Sequence, residues 1–491
     1  MELLNKTTAN KPSRPERIIQ FGEGNFLRGF VDWIILEMNE KTDFNSSVVI
    51  LPGRAGSKSI EKHIPQDYLY HLNLQGKSNG KTVDSITLIN TVSRGINPDN
   101  DFEGFLQLAD IPEMRFVISN TTEAGIIFDN QCKFNDRPAS SFPARLTQLL
   151  YRRFKTFEGN EEKGFIILPC ELIFDNGKKL KECIDSYIDL WKNELKDDYL
   201  PLKKWVNESC YFCSTLVDRI VTGSPKSDLK KLQERIGLED NLIVQGEVFH
   251  LWVIESPENM TVEQLKKEFP AEKADLNVLI TESESAYHEM KVRLLNAPHT
   301  LLSPVAFLAG INIVRDACTH TEISKYIRRV QIEELLPTID LPEDALKKYA
   351  DDVMERFNNP YIDHQLESIM LNAFPKYAAR VLPALLFYQK VNNELPAGMV
   401  FGLAALINYY KGGKREDGKE IIPNDNPEII SFVKNLWKTE DYHKIAEGIL
   451  SSELLWGKGN DLTLIPGLTS QLTIFLEDID KKGILESLQS L

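Results

Sequence analysis

From Arg17 to about Thr281 the chain alternates short runs of β-branched and aromatic residues with longer stretches of helical periodicity. The runs are RIIQF, SSVVIL, SITLINTV, MRFVISNTT, GFIILPCEL, TLVDRIV, FHLWVIE and LNVLIT. Short apolar runs separated by helical patterns predict parallel βαβ units, so residues 1–281 read as an α/β domain built on an open sheet. After ESESAYHEMKVRLL the strand-like runs stop, and amphipathic stretches such as PKYAARVLPALLFYQKVNN continue to the end. Residues 282–491 therefore read as a second, mostly α-helical domain. Within it GMVFGLAALI predicts a buried helix and the charged GGKREDGKEIIPNDNP a surface loop. A cleft between two such domains is the default place for a small ligand.

Length agrees with more than one core, since 491 residues exceed what a single domain usually buries. The 72 acidic residues against 57 basic ones leave a net charge of −15 with no long Lys/Arg block, which argues against nucleic acid and anionic membrane as partners. The opening MELLNKTTANKPSRPERIIQF has no apolar signal core, and no run approaches the ~20 apolar residues of a membrane span. Cysteines at 132, 170, 183, 210, 213 and 318 form no secreted-type disulfide framework. A reducing cytoplasm is the expected setting. The sequence carries no signature of oligomeric state.

The first run continues into a glycine turn and a helical pattern, RIIQFGEGNFLRGFVDW. In that context Gly22 supplies the tight turn and Gly24 lets the backbone approach a pyrophosphate at a helix N-terminus. The expected dinucleotide-contacting segment is Ile19, Gln20, Phe21, Gly22, Glu23, Gly24, Asn25, Phe26, Leu27 and Arg28 of a Rossmann-type domain. Leu27 stands where the common G-x-G-x-x-G fingerprint has its third glycine, so a plain strand-to-helix turn is the competing interpretation. The second strand, VVILPGRAG, ends without the acid that ordinarily grips the ribose of NAD. Arg54 there leans toward a 2′-phosphate or is a solvated charge, and the choice between NAD and NADP stays open on these residues.

The helical domain opens with KVRLLNAPHT, which carries Lys291, Asn296 and His299. At about 100° per residue Lys291 and His299 lie ~80° apart and Asn296 ~60° further round, so all three can address one ligand. Pro298 removes the donor for the Leu294 carbonyl and predicts a kink that tips His299. A surface lysine, a capping asparagine and a core histidine would give the same pattern. Cys210-x2-Cys213 has no second ligand pair, and the histidines, His288 among them, show no zinc spacing. No metal is expected.

Lys-x4-Asn-x2-His together with the GxGNFxR turn resembles the signature pair of the long-chain mannitol dehydrogenase family. Further matches run in order through Thr121 and Glu123, Asn176-Gly177, Val217-Asp218-Arg219-Ile220, RFNNP at 356 to 360 and Lys376. The resemblance implies an NAD-dependent oxidoreductase with Lys291 as acid/base, Asn296 and Asn176 donating to the carbonyl oxygen, and His299 orienting the neighbouring hydroxyl. A lysine with an ordinary pKa of ~10.4 needs burial against the cofactor to act as a base near neutrality. Thr121 and Glu123 are implied at the cofactor. Asp218 belongs to the site's surroundings or pairs with Arg219.

The wording of the motifs is closest to the branch of that family acting on sugar acids. Where polyol enzymes carry S-C-D-N, this chain has Pro169-Cys170-Glu171-Leu172, and the polyol contacts do not carry over there. A sugar-acid substrate brings a carboxylate that must exchange water for cations or donors. Lys376, Arg356, His364 and Arg380 are the candidates, with Lys376 first by resemblance and Arg380 one turn along the same helix face.

Overall fold

The computed structural model describes the chain from Met1 to Leu491 except Ala55, Glu123, Lys226 and Ser227. The residues form two compact units, Met1–Gln75 with Thr82–Glu284, and Gly76–Lys81 with Ser285–Leu491.

The first unit is built on six strands, β1 (Glu16–Phe21), β2 (Ser47–Leu51), β3 (Val92–Gly95), β4 (Phe116–Ser119), β5 (Ile166–Pro169) and β6 (Tyr211–Phe212). They lie in the order β3-β2-β1-β4-β5-β6, every neighbour pairing parallel. This is the Rossmann strand order, and it reverses between β1 and β4, leaving a crevice beyond their carboxyl ends. Helices cover both faces, so β2, β4 and β5 are buried at every position. The period of two sorts the side chains: Ile18, Val48, Ile50, Phe116 and Ile118 pack with the helix Val31–Lys41. Ile19, Val49, Leu51, Val117 and Ile167 pack with α3 (Phe142–Thr156) and α4 (Asn176–Leu190). Two short helices follow β1, α1 (Asn25–Gly29) and α2 (Val31–Lys41).

The alternation of runs predicts parallel pairing through the whole unit, but part of the unit pairs antiparallel. TLVDRIV and FHLWVIE give β7 (Ser214–Asp218) and β8 (Leu251–Glu255), which pair antiparallel, while β8 and β9 (Val278–Thr281) of the same three-stranded sheet are parallel. Periodicity reports burial and says nothing of strand direction. SITLINTV divides between the strand Lys81–Ile89 and β3, and the unforeseen Tyr70–Ser78 joins a separate four-stranded sheet.

The second unit is helical. Its opening helix α5 (Ser285–Lys291) passes through a π-turn (Val292–Asn296) into α6 (Ala297–Leu308). Four further helices matter for the site: α7 (Glu343–Phe357), α8 (Leu366–Met370), α9 (Ala373–Arg380) and α10 (Leu382–Asn392). PKYAARVLPALLFYQKVNN is thus two helices, broken at Val381 with Pro383 in the first turn of α10, where a missing N–H costs nothing. GMVFGLAALI lies within α11 (Ala397–Lys411), buried from Gly398 to Tyr410. Gly402 allows α6 to approach it, since a Cβ there would stand 2.4 Å from Leu301 Cδ2. Glu334 accepts the Gly398 and Met399 N–H groups at 2.8 and 2.9 Å, placing a carboxylate at the α11 N-terminus.

The GGKREDGKE stretch lies at the surface as a short hairpin anchored by Arg415. Gly413–Lys414 pairs with Glu420–Ile421, while Arg415 is buried over the Phe307 ring and donates to Asn312 Oδ1 at 2.8 Å. Among the described residues no helix is long and apolar enough to cross a membrane.

Candidate functional site

The glycine turn after β1 has the geometry of a close backbone approach. Gly22 sits at φ +123°, and a Cβ there would stand 2.9 Å from Asn120 O and from Leu27 Cδ1. Leu27, in the place of a third glycine, instead packs under the turn. Gly24 precedes α1 with no side-chain cap, and a Cβ on it would meet nothing within 4 Å. Uncapped N–H groups facing open space fit a pyrophosphate. Gly29 provides the close helix-to-sheet contact, its ideal Cβ falling 3.0 Å from Val221 Cγ1.

Two cavities flank the β4 end. One of ≈500 Å³ is lined by Phe26, Asn120, Thr122, Ala124, Leu172 and Val217. The other, ≈370 Å³, includes Gly53, Arg54, Thr121, Gly125, Ser140 and Phe142 in its lining. Both share Thr122, a β-branched residue at φ +95°, where the backbone is strained. A two-ended ligand lying across the switch point fits this pair, one end beside β2 and the other beside β5 and β7. Glu123 lies outside the described residues.

Thr121 is held from below by a residue that motif reading passes over. Glu171 is buried, accepts Thr121 N–H and Oγ1–H at 2.9 Å each, and also accepts Ser119 Oγ–H at 2.9 Å. Burial raises its carboxyl, and the Thr121 and Ser119 donors oppose that shift. Within Pro169-Cys170-Glu171-Leu172 the acid braces the β4 loop from beneath, and Leu172, where the polyol pattern has an asparagine, is exposed at the cavity wall.

Asn176 is corrected by the geometry. It is fully buried, its Nδ2 lies 2.9 to 3.1 Å from the Thr215, Glu171 and Pro169 carbonyls, and its Oδ1 accepts Thr215 N–H at 2.8 Å. An amide with both N–H groups committed has none to offer an oxyanion. It fastens the start of α4 to β5 and β7.

The Arg28 side chain also works inside the unit. Nη1 donates to Leu242 O and Nη2 to Asn25 Oδ1, both at 2.7 Å, and the guanidinium lies over the Tyr70 ring. Beneath the turn Gln20 donates to Gly22 O at 3.1 Å, and Tyr70 OH to Asp32 Oδ2 at 2.7 Å. Burial pushes the Asp32 carboxyl up to about 7. Asp218 is buried at the end of β7. The neighbouring Arg219 spends its donors on the carbonyls of Gly29, Val248 and Phe249 and lies over Trp33, its pKa lowered by burial to about 9. Cys210 and Cys213 are buried thiols, Cys210 pushed up by burial to about 12.

In the second unit Lys291 ends α5, Asn296 ends the π-turn and His299 lies in the first turn of α6; all three are half-buried. An i→i+5 turn accommodates one extra residue, so positions beyond it lag those of an α-helix by roughly 100°. The ~80° expected between Lys291 and His299 becomes about 20°, and the ~140° to Asn296 becomes about 40°. The break thus lies before Pro298, which sits in the first turn of α6. Pro298 has no N–H for the Leu294 carbonyl, and buried Gln331 supplies one instead, Nε2 to O at 2.9 Å. Gln331 belongs to a second π-turn, Val330–Leu335, packed against the first.

The His299 ring stacks on Phe357 at 4.1 Å between centroids and meets His364 edge-on at 5.2 Å. Lys376, on α9, donates to Ile369 O at 2.8 Å, and Arg380 one turn later reaches Thr300 Oγ1 at 3.4 Å. Burial lowers the pKa of both, that of Lys376 further because of Arg380. Burial and then the Lys376 charge lower His364. His299, His364, Lys376 and Arg380 therefore form one basic cluster, and Arg356 is buried in the last turn of α7.

Sequence profiles described as the mannitol dehydrogenase Rossmann domain and the mannitol dehydrogenase C-terminal domain match residues 16–267 and 285–480. The altronate oxidoreductase of Phocaeicola vulgatus is 56% identical over 496 residues, spanning 100% of both chains. That of Bacillus subtilis is 42% identical over 492 residues, spanning 100% of this chain and 98% of the relative. Among solved structures, a D-sorbitol dehydrogenase in substrate-free form has a TM-score of 0.80 at 22% identity, with 99% of this chain and 100% of that one covered. Pseudomonas fluorescens mannitol 2-dehydrogenase, in ternary complex with NAD and D-mannitol, has a TM-score of 0.66 at 20% identity over 100% and 99% of the chains. The structural likeness speaks for the fold, and the profiles and relatives for descent along the whole length: this chain belongs to the mannitol dehydrogenase family.

Proposed function

We propose that this chain interconverts D-tagaturonate and D-altronate with NAD(H), the reaction of an altronate oxidoreductase or tagaturonate reductase, as a cytoplasmic enzyme of hexuronate catabolism. The observation that carries this reading is the 56% identity to an altronate oxidoreductase from end to end. Polyol chemistry is disfavoured by exposed Leu172, which stands where the polyol pattern has an asparagine.

When bound, the reduced nicotinamide supplies the hydride to the keto carbon. The chain supplies the proton. Lys291 Nζ donates to the carbonyl oxygen as negative charge develops there and recovers a proton from solvent; in reverse its neutral amine takes the hydroxyl proton. Asn296 Nδ2 donates to the same oxygen, and an offset of about 40° across the π-turn lets the pair converge on it. His299, fixed by Phe357 and His364, orients the adjacent hydroxyl. Lys376 and Arg380 face the carboxylate. Lys376 spends one N–H on Ile369 O, which holds the ammonium in place and leaves two donors.

The test is the loss of nicotinamide absorbance on mixing the protein with NADH and D-tagaturonate, beside D-fructuronate and D-fructose. Fastest turnover of tagaturonate is expected; a higher kcat/KM for either other ketone would refute the substrate assignment.

A further inference from the structure

An acid at the end of the second strand ordinarily accepts the ribose 2′-hydroxyl of NAD and excludes the 2′-phosphate of NADP. In this chain β2 ends at Leu51 and runs on as Pro52, Gly53 and Arg54, with no acid. A carboxylate reaches that place from elsewhere. Glu23, the middle residue of the Gly22-Glu23-Gly24 turn, accepts Gly53 N–H on Oε2 at 3.2 Å and the Ser59 hydroxyl on Oε1.

The backbone makes this reach short. β1 and β2 pair in parallel with Phe21 opposite Leu51, and Gly22 N–H donates to Leu51 O at 2.9 Å. The turn after β1 therefore lies alongside the turn after β2, and a Cβ on Gly53 would come within 3.6 Å of Gly22 Cα. Gly53 and Arg54 line the ≈370 Å³ cavity beside β2. A carboxylate offers about four lone-pair directions, so the two held by Gly53 and Ser59 orient Glu23 and leave others for a ribose diol.

We propose that Glu23 is the cofactor-specificity residue of this chain, binding the adenosine ribose hydroxyls and excluding a 2′-phosphate from the first turn of the sheet rather than from the second strand. The inference rests on NAD(H) being the hydride carrier. Arg54 is exposed nearby, and Lys62 is close enough for its ammonium to feel the Glu23 charge. Alone these cations would welcome a third phosphate. The Glu23 carboxylate sets a like charge against it, and discrimination of this kind comes from repelling the wrong ligand as much as from holding the right one.

The experiment is a fluorescence titration of NADH and NADPH into the wild-type protein and the Glu23→Gln and Glu23→Ser variants, repeated by calorimetry with ADP-ribose and its 2′-phosphate. The wild-type Kd for NADH should lie at least 100-fold below that for NADPH. Either variant should narrow that ratio by 10-fold or more, with NADPH binding tighter in absolute terms. A Glu23 that merely braced the Gly53 turn would weaken both nucleotides together, and an unchanged ratio in both variants overturns the inference. A wild-type protein that binds neither nucleotide, or prefers NADPH, sinks the NAD(H) reading as well, which separates the two failures.

Discussion

Replacing Gln331 by Met tests whether the π-turn at Val292–Asn296 sets the geometry of the proposed catalytic residues. Gln331 is fully buried; its Nε2 donates to Leu294 O at 2.9 Å and its Oε1 accepts from Arg328 Nη1 at 3.0 Å. Met fills nearly the same volume, so no large cavity opens, and the loss falls on the two hydrogen bonds. A buried carbonyl deprived of its partner costs about 1–3 kcal/mol. In a domain of some two hundred residues that lowers Tm by roughly 3–10 °C. The larger effect is on turnover. Without the Gln331 contact the π-turn loses the partner that replaces Pro298's absent N–H, and a return to α-helical winding swings His299 by roughly 100° relative to Lys291. A misplacement of that size at a proton-transfer site costs on the order of 100-fold in kcat. The KM for NADH should hold, because the glycine turn and the cavities beside it belong to the other unit. Steady-state kinetics at 25 °C and scanning calorimetry read both effects. A variant with kcat within twofold of wild type and a melting temperature within about a degree would refute the reasoning.

Lys291→Ala should abolish turnover while NADH affinity, read by fluorescence, stays within about twofold; measurable activity at neutral pH would remove Lys291 from the proton step. Lys376→Met should raise KM for the sugar acid at least about tenfold and leave that for NADH alone, the pattern of lost ground-state binding. Asn176→Ala should act on stability, costing about 2–4 kcal/mol from the stranded Thr215 N–H and carbonyls. A hundredfold fall in kcat with Tm intact would return Asn176 to the oxyanion. Asp32 gives a pH test. With a folded pKa of about 7 against about 3.9 unfolded, the folded state holds the extra proton between those values, and the group's contribution to stability declines as pH rises through that window. Asp32→Asn removes that slope, so urea unfolding at pH 5, 6 and 7 should show stability climbing faster in the variant, by up to about 1.4 kcal/mol per pH unit. Parallel curves would show that Asp32 does not titrate there.

Strand positions were legible because β1, β2, β4 and β5 are walled by helices on both faces and so read as apolar runs. Direction was not, and β7 against β8 is antiparallel although its runs look the same. Tyr70–Ser78, with His71, Asn73 and Gln75 among its residues, has no apolar run to announce it. At the site, motif spacing found residue types but not where their side chains turn. Asn176 carries the family's Asn-Gly pair, yet folding over the end of β5 consumes its amide. Glu23 fills an unrestricted position between two glycines, and its bearing on Gly53 and Ser59, 30 and 36 residues away, exists only once β1 and β2 are paired.

Two deviations from regular structure, the π-turn at Val292–Asn296 and the backbone of Thr122, each have an identifiable compensation. A proline within a helical stretch strands a carbonyl, and a buried glutamine 37 residues on supplies the donor. A β-branched threonine at φ +95° costs on the order of 1–3 kcal/mol, and the residue before it is clamped through two hydrogen bonds to Glu171. A sequence optimised only to fold would have kept an alanine at 298 and a glycine at 122, and needed neither Gln331 nor Glu171. Such compensations are what selection for a fixed geometry leaves behind, because each ties backbone beside a proposed site residue to a buried partner. That gives Gln331 and Glu171, which touch neither reactant, a claim on the rate: the positions of Lys291, His299 and Thr121 rest on them.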